Sequence, residues 1–428
     1  MNRLLARVAR LCAGSVAVRA LGFGMRMWLA RNVDGQALGI YEMSAQLSML
    51  LLAPLVSGLP QAASRLSAQR LSQHDVQGAL RMGRAALMCA GAGAAALSIV
   101  CLPLLPSIAR VMGDARMAAP FAMMLPSSVP LALCAVYYGC MYARGSTLPA
   151  SLQLIEQSAR LLCALLLMSA LGGSGAVADA SLLAMAQTVG AVLALACARR
   201  VHERSESMHR PTRTDMALLW HAAWPVSLGR MGAAGLRSVC QLMLPGRLAL
   251  AGLSAEAAMR EYGIMSGMAL PMVFLPFMFT GPLATLTLPR MAAACSDGES
   301  RRIALRTIAA ALLAGGVSWA LLAGLGPMLG AFMFGNARAG DMIRMLAPLA
   351  PLGCVSHALN ALIQGMGRER AALRATLTGA AASAALTWLL AARPELGVMG
   401  LGLAMMLGHA LTLMIQCGIL WRGMRRRR

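Results

Sequence analysis

Residues 18–31 read VRALGFGMRMWLAR, an apolar, glycine-rich stretch that carries Arg19 and Arg26 seven residues apart. That spacing places both arginines on one face of a helix. The stretch lies within the apolar segment 8–30, which is long enough to cross a hydrocarbon core about 30 Å thick. A charged side chain near the middle of a membrane normally faces a protein interior or a watery cavity. We therefore predict that Arg19 lines a cavity; Arg26 lies nearer the membrane surface, so snorkelling to the interface is an equal alternative.

The whole chain has the composition of an integral membrane protein. Of its 428 residues, 58% are hydrophobic and 13% are charged, whereas about a quarter of the residues of a soluble domain are charged. Apolar segments of span length recur from end to end, which predicts an all-α polytopic membrane protein with about twelve transmembrane helices. The predicted spans are 8–30, 37–60, 84–105, 117–142, 150–171, 176–198, 217–246, 258–285, 303–334, 339–364, 371–391 and 397–421.

The arginines predict how the chain is oriented. The formal net charge is +22, and most of the arginines lie at the two termini and in alternate connections between spans. By the positive-inside rule, both termini are expected in the cytoplasm. The spread of charge along short connections argues against a nucleic-acid partner. The basic N-terminus is interpreted as the start of a first span and not as a removed signal peptide.

The two halves of the sequence match each other. The stretch GDARMAAPFAMMLP at 113–126 aligns with GNARAGDMIRMLAP at 335–348, and the arginine pair of the first span recurs in the seventh as Arg230 and Arg237. We predict an N-terminal six-helix lobe over 1–205 and a C-terminal six-helix lobe over 206–428. Transporters built from parallel repeats bind substrate between their halves.

Up to four arginines in a membrane interior with few carboxylates predict an anionic cargo, because guanidinium groups fit phosphate and pyrophosphate oxygens. The tenth span adds a polar stripe of His357, Asn360 and Gln364, for which hydrogen bonding between helices and contact with sugar hydroxyls are both open. Glycines and prolines in spans one, two and eight are candidate hinges, with helix packing the alternative for the glycines. The predicted substrate-binding residues are Arg19, Arg26, Arg230, Arg237, Asn360 and Gln364. The predicted hinges are Gly22, Gly24, Pro54, Pro60, Pro276 and Pro282.

The sequence lacks the motifs of an enzyme or a metalloprotein. It has no nucleophile with a base and an orienting carboxylate, no glycine-rich phosphate loop before a lysine, and no cluster of metal ligands. We therefore expect a protein that is not an enzyme and needs no metal or cofactor. The acidic residue Glu156 lies one helical turn from Arg160, and we expect the two to pair.

Several blocks resemble one family. The segment 17–69, with ALGFGMR, LGIY and GLPQAAS, is similar to the opening of the stage V sporulation protein B branch of polysaccharide flippases. GDARM at 113–117, LIEQSAR at 154–160 and YGIMSGMALP at 262–271 continue the resemblance, which is weakest after about residue 375. The branch belongs to the multidrug, oligosaccharidyl-lipid and polysaccharide exporter superfamily.

The resemblance implies a MATE-like fold of two six-helix lobes related by a pseudo-twofold axis. It implies a flippase that moves an undecaprenyl-pyrophosphate-linked saccharide or cell-wall precursor by alternating access, in polysaccharide or cell-wall synthesis or in sporulation. Arg19 and Arg26 occupy the positions of the family's cavity arginines. The implied partners are a lipid-linked anionic saccharide and membrane lipids, with the transporter acting as a monomer. Members often have fourteen spans, so a lipid-tail groove built from two further helices is expected to be missing or differently built.

Two other functions remain open at this point. A cation-coupled multidrug exporter of the same superfamily would carry a membrane-embedded acidic residue in span one or seven, and neither span has one. A membrane scaffold for cell-envelope assembly would use its deep arginines to pair with other subunits.

Overall fold

The computed structural model describes residues 2–112, 114–203, 211–277, 280, 283, 287, 291 and 296–425. The side chains of 2–16, 111, 202–203, 225–230, 233, 297 and 425 lie outside that description. Every element of secondary structure in the described part of the chain is helical. The prediction of an all-α polytopic membrane protein is confirmed.

The chain packs into two compact units. Unit 1 comprises Met1–Leu29 and Ile40–Gly232, and unit 2 comprises Ala30–Gly39 and Ala233–Arg428. The division into lobes at 205 and 206 stays a prediction.

Nine helices of the described chain run from its start to residue 242, and the last of them passes from unit 1 into unit 2. In chain order they are α1 (Asn2–Asn32), α2 (Gly35–Ala53), α3 (Leu59–Ser72), α4 (Val76–Met112), α5 (Ala118–Met124), α6 (Ser128–Ala143), α7 (Leu148–Leu171), α8 (Ala176–Glu203) and α9 (Arg213–Leu242).

The rest of unit 2 continues with helices of very different length. They are α10 (Leu244–Leu250), α11 (Ala255–Gly263), α12 (Leu270–Phe274), α13 (Asp297–Phe334), α14 (Ala337–Leu346), α15 (Leu349–Gly365), α16 (Glu369–Leu390) and α17 (Val398–Arg425).

Seven helical segments of the described chain are long and apolar enough to cross a membrane, and an eighth is formed if α14 and α15, bent by 47°, count as one broken span. Three further helices, α1, α9 and α16, have 31, 30 and 22 residues. At 1.5 Å per residue the shortest of these is about 33 Å long, which is also sufficient to span. Their arginines lower their hydropathy, and α1 and α9 carry the four arginines that the sequence predicts as site residues.

Small residues allow the helices of unit 1 to approach closely. The buried cluster between α3, α4 and α6 is rich in alanine, including Ala63, Ala86 and Ala132. At Gly139 on α6 there is no space for a side chain, because a Cβ there would lie 2.5 Å from the carbonyl oxygen of Pro60 on α3. Close backbone approach at small residues is the usual way in which membrane helices gain packing energy.

Span two is interrupted where the sequence predicts a hinge. α2 ends at Ala53, and Pro54–Gly58 form a turn of π-helix before α3 begins. Proline has no N–H to donate to the preceding turn, and the Ser57 hydroxyl donates to the Ala53 carbonyl at 2.6 Å. Irregular turns of this kind are frequent at functional sites in helices. Movement about Pro54 stays a prediction.

The matching stretches of the two halves start helices in the same way. The Asp114 carboxylate accepts a hydrogen bond from the Arg116 backbone N–H at 2.9 Å and caps the short 3₁₀-helix Ala115–Met117. At the matching position, Asn336 accepts from the Ala339 N–H at 3.2 Å and caps α14. A short polar acceptor at this position satisfies a free N–H of the first helical turn.

Residues 30–39 belong to unit 2 because of specific contacts with it. Arg31 donates through Nε to the Met333 carbonyl at 3.1 Å, at the carboxyl end of α13, where a cation is favoured. Gly39 packs directly on the backbone of Met259, and a Cβ at that position would overlap the Met259 carbonyl.

Helices α16 and α17 pack along much of their length, and two glycines set their separation. A Cβ on Gly379 would lie 2.6 Å from the Gly408 carbonyl oxygen, and a Cβ on Gly408 would lie 2.6 Å from the Gly379 carbonyl oxygen. The two backbones therefore meet at this point.

Replacing Gly408 by Ala should lower the thermal stability of the detergent-purified protein, because the added methyl group forces α16 and α17 apart at a cost of about 1–3 kcal/mol. The matched control is Gly418→Ala on the same helix, where an added Cβ meets nothing within 4 Å. The interpretation fails if the two variants melt at the same temperature.

Candidate functional site

Unit 2 contains a cavity of about 330 Å³ lined by residues of α9, α15, α16 and α17 and by Phe274 and Phe277. Three of the helices each present one face to it. α9 contributes Arg237, Cys240 and Gln241; α16 contributes Thr376, Gly379, Ala380 and Ser383; α17 contributes Met405, Gly408, His409 and Thr412. These spacings of three, four and seven residues are those of a single helical face.

The glycine contact between α16 and α17 lies in the cavity wall, since both Gly379 and Gly408 line it. The same face of each helix therefore serves two purposes. Its glycines bring the backbones together, and its Ser, Thr and His side chains make the wall polar.

Among the described residues that line this cavity, Arg237 is the one that the sequence predicts as a site residue. Its side chain is exposed to the open space, and its guanidinium makes no hydrogen bond or ion pair with the residues that the structure describes. Among the described residues of the cavity wall, none is Asp or Glu. A cation in such surroundings favours a negatively charged ligand.

The matching arginine of the first half is neutralised. In unit 1, the Arg26 Nη1 atom lies 3.3 Å from Oε1 of Glu42, whose residue is 6% exposed. Glu42 is on α2, and it fixes the direction of the Arg26 side chain, 39% of which remains exposed. The ion pair gives Arg26 a structural partner in addition to the two roles that the sequence left open.

Of the other two predicted arginines, the structure describes the side chain of Arg19 but not that of Arg230. Arg19 on α1 is exposed and has no hydrogen-bond or ion-pair partner among the described residues. Arg230 lies on α9, and its side chain is outside the described part of the structure. A binding role for either residue stays a prediction.

The polar stripe of the tenth span lies beside the cavity of unit 2. Ser356 of α15 lines the cavity, one residue before His357, the first member of the stripe. Asn360 and Gln364 are half-buried and are not among the lining residues, although the Asn360 Oδ1 atom is buried without a hydrogen-bond partner. Their role in substrate binding stays a prediction.

The predicted hinge positions have different surroundings. An added Cβ at Gly22 or Gly24 would meet nothing within 4 Å, so neither glycine is a close packing point between described helices. Pro60 is buried at the start of α3, and Pro276 is buried in a turn after α12. Pro282 lies outside the described residues.

Arg160 and Glu156 do not form the expected ion pair among the described contacts. The Arg160 Nη2 atom donates to the Tyr41 hydroxyl on α2, and Tyr41 in turn donates to Gln187 on α8 at 3.3 Å. The Arg160 guanidinium also lies 5.9 Å from the centroid of the Tyr41 ring. The Arg160 guanidinium therefore contacts α2 in place of a direct ion pair with Glu156 on α7.

Sequence reasoning missed most of the polar wall of the cavity. Thr376 and Ser383 on α16, and His409 and Thr412 on α17, follow helical spacing in the sequence. Small and hydroxylated residues at such positions are usually packing residues, so their spacing alone did not separate a binding wall from a helix contact.

With this geometry in place, comparison with known proteins gives the family. The family model described as polysaccharide biosynthesis protein matches residues 4–295. The chain belongs to this polysaccharide biosynthesis protein family. The cavity of unit 2 is built in part from residues beyond the matched range, on α15, α16 and α17.

A curated relative extends the likeness along the chain. Stage V sporulation protein B of Bacillus subtilis (strain 168) is 27% identical over 429 residues, which cover 95% of this chain and 81% of that protein. The resemblance read from the sequence is confirmed by this relative and by the family.

Solved structures give the fold. A multidrug resistance MATE family transporter of the MOP superfamily, in an inward-facing conformation, matches with a TM-score of 0.81 and 16% identity over 95% of this chain and 93% of that one. A MOP superfamily transporter from Pyrococcus furiosus matches with a TM-score of 0.69 and 16% identity over 98% and 94%. This family member is a multi-pass membrane protein with the MATE transporter fold.

A double-mutant cycle tests the Arg26–Glu42 pair. Arg26→Ala should destabilise the protein because it leaves a buried carboxylate without its cation. The same substitution in a Glu42→Gln background should cost less, with a coupling of about 1–3 kcal/mol in unfolding of the detergent-purified protein. Additive effects of the two substitutions would show that the ion pair contributes nothing to stability.

Proposed function

We propose that the protein is a flippase that moves an undecaprenyl-pyrophosphate-linked saccharide or cell-wall precursor across the bacterial cytoplasmic membrane by alternating access. The observation that carries the proposal is the unpaired Arg237 guanidinium, which faces a polar cavity with no carboxylate among its described lining residues. A diphosphate supplies the negative charge and the oxygen acceptors that this group lacks.

Family membership supports the saccharide part of this proposal, since the matching model is described as a polysaccharide biosynthesis protein. The relative from Bacillus subtilis is named for stage V of sporulation, which supports a role in cell-envelope assembly. Arg19 and Arg230 are assigned to the same cargo from their sequence positions, with Arg26 held in place by Glu42.

Charge also separates this function from cation-coupled export. An exporter of this superfamily is expected to carry a membrane-embedded acidic residue in span one or seven. Neither span has one, and the cavity of unit 2 presents a cation. No group of three or more His, Cys, Asp or Glu residues in the described chain could hold a metal ion. The proposed function is that of a monomeric transporter that uses no cofactor and is not an enzyme.

Translocation assays in proteoliposomes test the proposal directly. Arg19→Ala, Arg230→Ala and Arg237→Ala should each reduce translocation of an undecaprenyl-pyrophosphate-linked saccharide about tenfold or more, because each removes a charge-assisted hydrogen bond worth about 1.5–3 kcal/mol. The matched control is Arg302→Ala, at an exposed residue near the start of α13, which should translocate normally.

Two results would overturn the flippase assignment. Transport of a cationic amphiphile, unaffected by the three substitutions, would support the exporter. Loss of a co-purifying protein complex, with no translocation by the unaltered protein, would support the scaffold.

The proposed orientation has its own test in spheroplasts. Cysteine placed at exposed Ser174, in the connection between α7 and α8, should react with a membrane-impermeant maleimide from outside. Cysteine placed at exposed Ser72, at the end of α3, should react only after lysis. Ser72 lies in the connection 61–83 between the second and third predicted spans, which carries Arg65, Arg70 and Arg81 and is assigned to the cytoplasm. The variants are made after the reactive native cysteines are replaced, and the reverse labelling pattern would invert the topology.

A further inference from the structure

Three hydroxyl groups that line the unit 2 cavity already donate their hydrogens to backbone carbonyls. Thr376 donates to a carbonyl four residues earlier at 3.0 Å, and Thr412 does the same at 2.9 Å. Ser383 donates to the Ala404 carbonyl at 3.1 Å. A hydroxyl has one hydrogen and two lone pairs, so what these three groups retain for a ligand is the capacity to accept.

His409 adds a fourth acceptor. Its Nδ1 atom lies 2.8 Å from the Met405 carbonyl oxygen, and a carbonyl oxygen can only accept. Nδ1 therefore carries the hydrogen of the neutral ring, which leaves Nε2 as an acceptor.

The donors in the wall are fewer and stronger. Arg237 offers up to five N–H groups and a full positive charge, and Gln241, one turn further along α9, offers an amide NH₂. The cavity thus combines a cationic donor with several neutral acceptors.

This combination selects among classes of ligand. A small inorganic anion such as phosphate satisfies Arg237 but brings at most two hydrogens, both close to its charge, for the four acceptors. A neutral sugar supplies hydroxyl hydrogens but leaves the guanidinium charge unmatched, and a cation is repelled by it. A sugar ring that carries one negative charge satisfies both sets of groups.

The size and the apolar part of the wall fit the same ligand. The rings of Phe274 and Phe277 have their centroids 5.3 Å apart, and they give the cavity an apolar surface for the C–H face of a sugar ring. A volume of about 330 Å³ is at the lower end of the range for small-molecule sites, roughly 300–1,000 Å³. It suits one sugar unit and not an oligosaccharide.

We propose that the unit 2 cavity is a subsite for one anionic sugar unit of the cargo. Arg237 binds the negative charge of the sugar, and Thr376, Ser383, Thr412 and His409 accept hydrogen bonds from its hydroxyls. This inference rests on the proposed function, since it takes the cargo to bear saccharide. The charge has two possible sources, a carboxylate on the ring, as in a hexuronate, or a phosphate on the anomeric carbon.

Ligand-observed NMR titrations of the full-length protein in detergent can measure weak binding of monosaccharides. The probes are glucuronate, glucose 1-phosphate, glucose and inorganic phosphate. We expect at least one of the two charged sugars to bind at least tenfold more tightly than glucose and than phosphate, and the tighter of the two identifies the source of the charge. Equal binding of phosphate and of both charged sugars would reduce the cavity to an anion site and overturn the proposal.

Two variants assign the roles of the wall residues. Arg237→Gln should weaken binding of the charged sugar at least tenfold and leave glucose unaffected. Thr412→Val, which keeps the shape and removes the hydroxyl, should weaken binding of the charged sugar severalfold and leave phosphate unaffected. The matched controls are Arg374→Gln and Thr378→Val, at exposed residues of α16 outside the cavity wall, and thermal unfolding confirms that each variant is folded. Unchanged binding in both wall variants would overturn the proposal.

The subsite and the flippase function fail in different ways. If lipid-linked saccharide is translocated but no charged monosaccharide binds, the subsite is wrong and the flippase stands. If a charged monosaccharide binds through Arg237 but no lipid-linked saccharide is translocated, the subsite stands and the proposed function is wrong.

Discussion

The structure of the candidate site depends on one electrostatic constraint, a guanidinium that lines a cavity of a membrane protein with no carboxylate among the described residues of the cavity wall. Transferring a charge out of water costs several kcal/mol even after the surroundings relax, so a folded protein normally supplies a counter-charge. The described wall of the unit 2 cavity supplies amide, hydroxyl, imidazole and aromatic groups to Arg237 instead. Under the proposed function, the cargo supplies the missing negative charge and in this sense completes the site.

The duplicated sequence makes this constraint easier to interpret. Arg26 and Arg237 occupy matching positions, yet Arg26 has Glu42 at 3.3 Å and Arg237 has no acidic neighbour among the described residues. The same local motif therefore serves a structural ion pair in unit 1 and an open cation in unit 2. The partner differs between the two halves and the arginine does not, so the role of each arginine is decided by residues on other helices.

Because the role of each arginine depends on residues of other helices, the sequence predicts the helices but not the contacts between them. Span length and apolar composition predict the helices, because both follow from the thickness of the bilayer and the need to satisfy backbone polar groups within each segment. The break at Pro54 is predictable from the missing N–H of proline. The pairing of Arg160 with Tyr41, and not with Glu156 one turn away, is not predictable, because it depends on how α7 packs against α2.

The polar wall of the unit 2 cavity is a second feature that the sequence alone does not predict. Helical spacing on the tenth span selects Asn360, whereas the residue of α15 that lines the cavity is Ser356, one turn earlier. On α16 and α17, the glycines that permit close approach and the hydroxyls that form the wall share one face, so the sequence signal of a binding surface is the same as that of a packing surface. The two are distinguished only by the separation of the backbones. At Gly379 and Gly408 the helices touch, and the neighbouring Thr376 and His409 border open space beside that contact. A site of this kind is a consequence of where two helices stop touching, and that position is set by the tertiary packing of the whole unit.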